Sequence, residues 1–551
     1  MKLWFIIIPV ISIVSLFITV FIYSRNKRNI DYYIRSSFGS RLRVNSDISG
    51  RVEVVVKLFD VDRCAYNQDE LIDSVTWDDL DMDSIFQQIN HTDSYAGEQV
   101  LYSKLHILND TYSNSSFNDE SISYFQTHAD ERTKVRKILY SIGKSYNHYC
   151  TLDNVDNINH LHMPFRYAYP LLVLSMLTFG VVGLILWNPY IIMLFVANYL
   201  LNLILHMALR GKFATNMNAM SCVRSTICAG DSISHIVPNL SEDINIAIQP
   251  LQKVVKLLNI IDLVNIINKS DDMSLLFSYI GDPFMLDFIA YDASVTLLSH
   301  RQKEYMLVYR YVGEIDSSIA IASYRESLDD YCVPAISDDN TIKFADLYHP
   351  LLNSPVPNSI ILRRNAIFTG SNASGKSTFI KAIAINLILG QAIYTCTADY
   401  AVIPKCNVLT SMAVRDDLSS SESYYIKEIK YLKRMVDIAK SEKLSFFAID
   451  EILKGTNTKE RIAASKAVLK YFDTANCILA VATHDVELAD YFSDKYSNYF
   501  FCESCEDSEV VFEYRLHKGI CRTSNAIKLL GVMDYPTDIV DAANDYMIQP
   551  L

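Results

Sequence analysis

The sequence predicts an α/β P-loop domain with a mostly parallel sheet, preceded by an all-α domain that carries transmembrane helices. Three observations predict this. A phosphate-binding loop runs from Gly370 to Thr378. Short apolar strands beginning with Ala366–Thr369 alternate with helical stretches from there on, which is the pattern of a parallel sheet covered by helices. Upstream, two long runs contain no charged residue at all, Leu3 to Tyr23 and Tyr167 to Leu209.

Composition limits the alternatives. The chain has 551 residues, 50% of them apolar and only 21% charged, so it is not a disordered or low-complexity chain. Lys and Arg number 50 against 63 Asp and Glu, a net charge of −13, which excludes a globally basic nucleic-acid coat protein. The 11 Cys are scattered without a regular framework, as in a reduced cytosolic environment.

The run from Leu3 to Tyr23 is long enough for about 30 Å of helix, the thickness of a hydrocarbon core. Arg25, Lys27 and Arg28 follow it rather than precede it, and no small-residue cleavage pattern is evident, so it reads as an anchor and not a signal peptide. The run from Tyr167 to Leu209 suffices for two spans, with Asn188-Pro189 as the turn between them. Arg166 before it, and Arg210 and Lys212 after it, place both outer ends on the cytoplasmic side, in agreement with Arg25 to Arg28. Three spans and an N-out, C-in, multi-pass membrane protein are expected. Residues 25–60 are locally basic and read as a juxtamembrane segment, either touching anionic lipid or forming a solvated face.

In the phosphate-binding loop, Gly370, Ser371, Asn372, Ala373, Ser374, Gly375, Lys376, Ser377 and Thr378 follow a short buried strand, Ala366 to Thr369, and open a helix. Glycines let the backbone wrap phosphates, and N–H groups converge at the helix start. Lys376 supplies charge to the β/γ-phosphates, and the Ser377 hydroxyl reaches Mg²⁺. The apolar strand Leu444 to Ile449 ends in Asp450-Glu451. Asp450 is expected in the Mg²⁺ shell and Glu451 as the base that polarises the attacking water. A further strand, Cys477 to Ala482, ends in Thr483-His484-Asp485, which points His484 at the γ-phosphate. Gln391, after the loop's helix, is expected at the Mg²⁺ or the water. Ligands of such sheets bind at the carboxyl ends of the strands, where Gly370, Asp450 and His484 all fall.

These residues resemble one family. The Gly370–Thr378 loop, the Asp416–Ile429 stretch, the Ile449–Thr458 segment and the Ala482–Leu488 segment are similar, in the same order, to the MutS ATPase, which is of ABC type. Tyr348-His349-Pro350-Leu351 resembles the short motif that opens that domain. Ser524-Asn525-Ala526 and Leu530-Gly531-Val532 resemble its closing, subunit-pairing helices. Upstream, Trp77 to Leu101 and Asp316 to Pro334 are similar to the start and last helix of the family's helical core. The resemblance implies ATP as nucleotide, Mg²⁺ as its metal, and a homodimer in which Ser423 contacts the partner subunit's γ-phosphate. Departures stand beside it. Ser421 and Tyr424 replace the family's Gly and Thr, the mismatch-reading N-terminal domain has no room, and no clear aromatic for the adenine occurs in 353–362. The expected organisation is an anchor over 1–24, the basic segment 25–60, a helical core over 61–345 interrupted by the hairpin 167–209, and the ATPase domain over 346–551.

The sequence also carries weaker signals. Cys502 and Cys505 supply two of a zinc site's four ligands, with Cys521 the only nearby thiol to add, so they read as incidental. His148, Cys150, His160 and His162 read as interfacial polar residues rather than a metal site. Lys427, Lys430, Lys433 and Arg434 recur at helical spacing and read as a solvated face, or one that meets the helical domain. Two functions remain open: an ATPase coupled to DNA binding at the membrane, and a DNA-independent membrane ATPase acting in assembly or signalling. The net charge argues against tight non-specific DNA binding.

Overall fold

The computed structural model describes residues 24–25, 27–42, 53–108, 117–149, 151–241, 244–267, 281–371, 374–412, 424–506, 509–522, 527 and 535–548. The anchor expected over 3–23 lies outside these, as do Asn372, Ala373, Ser423 and the two closing motifs at 524–526 and 530–532.

The N-terminal half is helical. Its principal helices are α1 (Ser74–Asp79), α2 (Met82–Ile89), α3 (Tyr95–His106), α4 (Ala129–Ile142), α5 (Ala168–Leu186), α6 (Pro189–Ile236), α7 (Ile244–Ile267), α8 (Leu286–Ser299) and α9 (Gln302–Ser327). Ser94 caps α3 by accepting from Gly97 N. The buried Asp316 of α9 then accepts from Asp93 N at 3.0 Å, Ser94 N at 2.7 Å and Ser94 Oγ at 2.5 Å, pinning the start of α3 to α9. The basic segment at 25–60 is not wholly a free face. Its helix over 27–36 and the residues after it dock on the core. Arg136 of α4 donates to Ile34 O at 2.5 Å, Arg132 lies 3.5 Å over the Phe38 ring, and Arg41 pairs with Asp329 at 2.6 Å.

The charge-free run folds as the helical hairpin α5–α6. Trp187 ends α5 in the left-handed region, Asn188 Oδ1 accepts from Tyr190 N at 3.0 Å, and Pro189 occupies the first turn of α6. Inside the hairpin, Asn198 donates to Ser175 Oγ at 2.6 Å, and Gly183 faces Ile192. Small residues at the seam push the large apolar ones outward. Leu171, Leu174, Leu184, Ile185, Leu194, Leu200 and Ile204 are all exposed. At its base, Asn202 donates to Pro283 O at 3.1 Å and His206 Nε2 lies 2.9 Å from Asp287 Oδ2. The helix α6 does not stop there. It continues past His206 to Ile236 in the core, 48 residues and about 72 Å in all. Among the described residues three helices are long and apolar enough to cross a membrane: α5, α6 and Lys376–Ile393, whose apolar window is 72% buried inside the protein.

The C-terminal half holds two sheets. Strands β1 (Ala335–Ser337), β2 (Ile342–Leu347), β3 (Asn358–Leu362) and β5 (Tyr400–Pro404) form a four-stranded sheet in the order β1-β5-β2-β3. Only β1–β5 is parallel in it, so this sheet adds antiparallel pairing to the expected fold and starts upstream of residue 346. Strands β4 (Ala366–Thr369), β6 (Asn407–Ser411), β7 (Ser445–Asp450), β8 (Cys477–Ala482), β9 (Ser497–Glu506) and β10 (Glu509–Lys518) form a second sheet, β10-β9-β4-β8-β7-β6. Its pairings are parallel except β9–β10. Helices α10 (Lys376–Ile393), α11 (Tyr424–Ile438) and α12 (Thr458–Phe472) connect these strands, and α13 (Thr537–Ile548) follows. The strands β4, β7 and β8 are almost wholly buried, which is why they read as unbroken apolar runs.

The two halves are joined at α1. The buried Asp79 accepts from Thr410 Oγ1 at 2.7 Å and from Met412 N at 2.9 Å, at the end of β6. Arg434 of α11 pairs with Asp73 at 2.8 Å, so this member of the basic row meets the helical half. Arg325, at the end of α9, donates to Thr395 Oγ1 at 2.9 Å and Tyr394 O at 2.7 Å beyond α10.

Candidate functional site

Parallel pairing sets the site. Strand β8 lies between β4 and β7, so the loop after β4, the Asp450-Glu451 pair after β7 and the Thr483-His484-Asp485 turn after β8 converge at one edge. They line a cavity of about 500 Å³ with Ser374, Gly375, Lys376, Ser377, Thr378, Asp450, Glu451 and His484 on its wall.

The loop's turns need glycine. Gly370 has φ +140°, and a Cβ there would stand 2.4 Å from Phe501 O. Gly375 has φ +103° and opens α10. Lys376 Nζ donates to Gly370 O at 2.8 Å and to Ser371 O at 2.5 Å, holding its ammonium inside the loop's curve. Ser377 Oγ donates to Asp450 Oδ2 at 2.8 Å. A hydroxyl and a carboxylate at this separation are the hard oxygen donors that Mg²⁺ takes, so the pair fits that ion.

Glu451 sits in the left-handed region, φ +62°, with its N–H donated to Ala482 O at 2.9 Å. That backbone is costly for a non-glycine residue, and it turns the carboxylate out of the strand. Its Oε1 lies 3.0 Å from His484 Nε2 and its Oε2 3.3 Å from Lys454 Nζ. Burial pushes the Glu451 carboxyl upward, but the His484 hydrogen bond and Lys454 outweigh it, and the net result lies below the ordinary value. Arg461 of α12 makes two contacts to Asp485, at 2.8 and 3.1 Å, which steady the turn carrying His484. Glu428 of α11 accepts from Lys454 N at 3.1 Å and Gly455 N at 3.4 Å, and Asn457 caps α12 by accepting from Glu460 N at 3.0 Å.

One expected residue is elsewhere. Gln391 is 14 residues past Ser377 on a continuous helix, about 21 Å along its axis. Its side chain donates to Leu387 O at 2.9 Å and accepts from Cys406 N at 2.9 Å. It braces the far end of α10 and does not reach the cavity.

Sequence reasoning missed the opposite wall. Tyr514, at φ +52° in a bulge of β10, places its ring against Gly375, where a Cβ would lie 3.1 Å from its Cδ1. Asn358 of β3 clasps that bulge, donating to Tyr514 O at 2.8 Å and accepting from Leu516 N at 2.7 Å. His349, Leu352 and Val356 line the same cavity. Burial, with Lys381 adding to it, pushes His349 down to about 4, so its ring is neutral there. No local sequence signal marks Tyr514, because a register shift brings it there.

Among the described residues, the remaining thiols and histidines lie away from the cavity. Cys521 is buried, its N–H bound to Thr369 Oγ1 at 3.0 Å. His517 and Glu513, not Cys521, share the surroundings of Cys502. His162 pairs with Asp292 at 2.8 Å, while His148 lines a separate polar cavity with Ser221 and Cys222.

Comparison with known proteins bears on the same region. Residues 366–549 match the family model described as MutS domain V. The chain is 28% identical over 270 residues to the DNA mismatch repair protein MutS of Pseudothermotoga lettingae, covering 47% of this chain and 33% of that protein. It is 29% identical over 249 residues to the DNA mismatch repair protein MutS of Natronomonas pharaonis, covering 43% and 29%. It is 29% identical over 241 residues to MutS protein homolog 4 of Homo sapiens, covering 40% and 25%. The chain thus spans about a third or less of the length of these relatives.

Proposed function

The chain belongs to the MutS family, and from that premise we propose that it is a membrane-anchored, Mg²⁺-dependent ATPase. The observation that carries the reading is the convergence of Lys376, Ser377, Asp450, Glu451 and His484 on one cavity. Lys376 and the loop's N–H groups bind and orient the phosphates. Ser377 and Asp450 would hold Mg²⁺, which would neutralise phosphate charge. Glu451 takes a proton from the attacking water, and His484 orients the Glu451 carboxylate and faces the γ-phosphate. Tyr514 stacks on the base. Ser423 acts across a homodimer interface.

The membrane part of the reading rests on the α5–α6 hairpin. Its leucines, isoleucines and valines are turned outward and exposed along both helices, and exposed apolar surface of this kind marks a membrane or partner contact. The same α6 continues from this face into the helical half that grips the ATPase through Asp79. ATP-driven movement of the heads would pass along it. The ATPase half lies on the cytoplasmic side.

The family resemblance favours coupling to DNA, in repair or damage sensing, and the net charge of −13 favours the DNA-independent membrane function. The test is the ATPase rate of the detergent-purified chain with no DNA, matched duplex, mismatched duplex and branched DNA at two salt concentrations. Salt-sensitive stimulation by one DNA form is the expected result. A rate indifferent to every DNA form would replace the DNA-linked reading with the membrane one.

A further inference from the structure

We propose that Cys502, Glu513 and His517 bind a thiophilic divalent cation of zinc type at the β9–β10 edge of the six-stranded sheet. One ligand-capable atom from each lies within 4.8 Å of the others. Pairing explains how they meet. His517 stands opposite Phe500, and Cys502 is two residues further along β9, on the same face. Phe512 pairs with Glu503 but Leu516 with Phe501, so four steps of β10 face two of β9. The surplus chain is a bulge, and it brings Glu513 back towards His517, with Oε2 3.9 Å from Nε2. The His517 ring stacks on Phe500, with centroids 5.2 Å apart and planes 27° apart, which fixes the direction of the imidazole. His517 Nε2 is buried and makes no hydrogen bond among the described residues.

The donor set selects the ion. Thiolate, imidazole and carboxylate are the three zinc ligand types, while Mg²⁺ and Ca²⁺ prefer all-oxygen shells. Three protein ligands on a partly exposed hairpin leave the fourth position to water. Binding displaces the Cys502 thiol proton to solvent as the sulfur–metal bond forms. The cation ties β9 to β10 across the bulge that carries Tyr514. Resting on the nucleotide reading above, the bound cation therefore holds the Tyr514 ring against the loop at Gly375 and strengthens nucleotide binding.

The test uses the full chain in detergent, stripped with a chelator and titrated with Co²⁺ alone. One Co²⁺ per chain with a sulfur-to-metal charge-transfer band is expected, the band being displaced by Zn²⁺ and absent in Cys502→Ser. His517→Gln and Glu513→Gln should weaken binding by no less than the loss of an outer-shell partner does, roughly 10–100-fold. An unchanged band in Cys502→Ser, or binding as tight as in the native chain when Cys502→Ser, Glu513→Gln and His517→Gln are combined, would overturn the site. Thermal unfolding of each variant without metal controls for folding. With Mg²⁺ fixed, Zn²⁺ should tighten a fluorescent ATP analogue on the native chain and not on Cys502→Ser. Equal affinities would overturn the link to Tyr514, and the cobalt band, which needs no nucleotide, decides the site separately.

Discussion

Ser377 Oγ and Asp450 Oδ2 lie 2.8 Å apart, joining the first turn of α10 to the end of β7. Neither residue moves freely, since one opens a buried helix and the other ends a strand paired on both sides. The oxygens that would hold Mg²⁺ are therefore set by the sheet before nucleotide arrives. Asp450→Asn keeps the hydrogen bond's shape and removes the charge. The Mg²⁺ concentration for half-maximal ATPase should rise by roughly tenfold or more. An unchanged Mg²⁺ requirement would remove Asp450 from the metal.

The pH profile follows from the Glu451 surroundings. Burial raises its carboxyl, but His484 and Lys454 hold it below the ordinary value, so the proposed base stays ionised at pH values where an ordinary glutamate begins to protonate. Any stability this depressed group contributes is present above its unfolded value and is lost as pH falls through the folded one. Lys454→Met removes a charge that favours the carboxylate. The acid limb of the pH–rate profile should then move to higher pH. A limb that stays or moves to lower pH would contradict the proposed role of Lys454.

Tyr514 reaches the cavity through a bulge clasped by Asn358. Tyr514→Ala should weaken ATP binding by about 1–3 kcal/mol, the range for stacking of a base on an aromatic ring. Turnover at saturating ATP should be nearly unchanged. A fall in turnover with unaltered affinity would mean that the ring shapes the loop and does not contact the base.

Asp79 couples the halves of the chain. Its buried carboxylate satisfies Met412 N and Thr410 Oγ1 next to residues 413–423, which include Ser423. Asp79→Ala strands the Met412 donor at a cost of about 1–3 kcal/mol. Denaturant unfolding should report that loss, and turnover should fall while ATP affinity holds. Loss of stability with full turnover would make the contact structural only.

The site's centre was legible because its chemistry sits at the ends of uniformly apolar strands. The segments Ala366–Thr369, Ser445–Asp450 and Cys477–Ala482 are buried on both faces, so each boundary falls where a polar residue enters the cavity. The α5–α6 turn was legible from Asn188-Pro189 for a similar reason, since a cap and a proline act locally. Gln391 lies away from its expected place because 14 residues of continuous helix carry it about 21 Å from Ser377. Tyr514 and the Cys502–Glu513–His517 cluster were hidden because a register shift between strands leaves no periodic trace in either strand alone. The docking of residues 27–42 was hidden because basic side chains near an apolar run look the same whether they face lipid or pair with Asp329.

The most direct measurement is Mg²⁺-dependent ATP binding and steady-state hydrolysis by the purified full chain beside Glu451→Gln. The variant should bind ATP as the native chain does and hydrolyse it about 10²–10⁴-fold more slowly, the usual contribution of a positioned base. Undiminished hydrolysis by Glu451→Gln, or a native chain that binds no ATP, would contradict the proposed ATPase function.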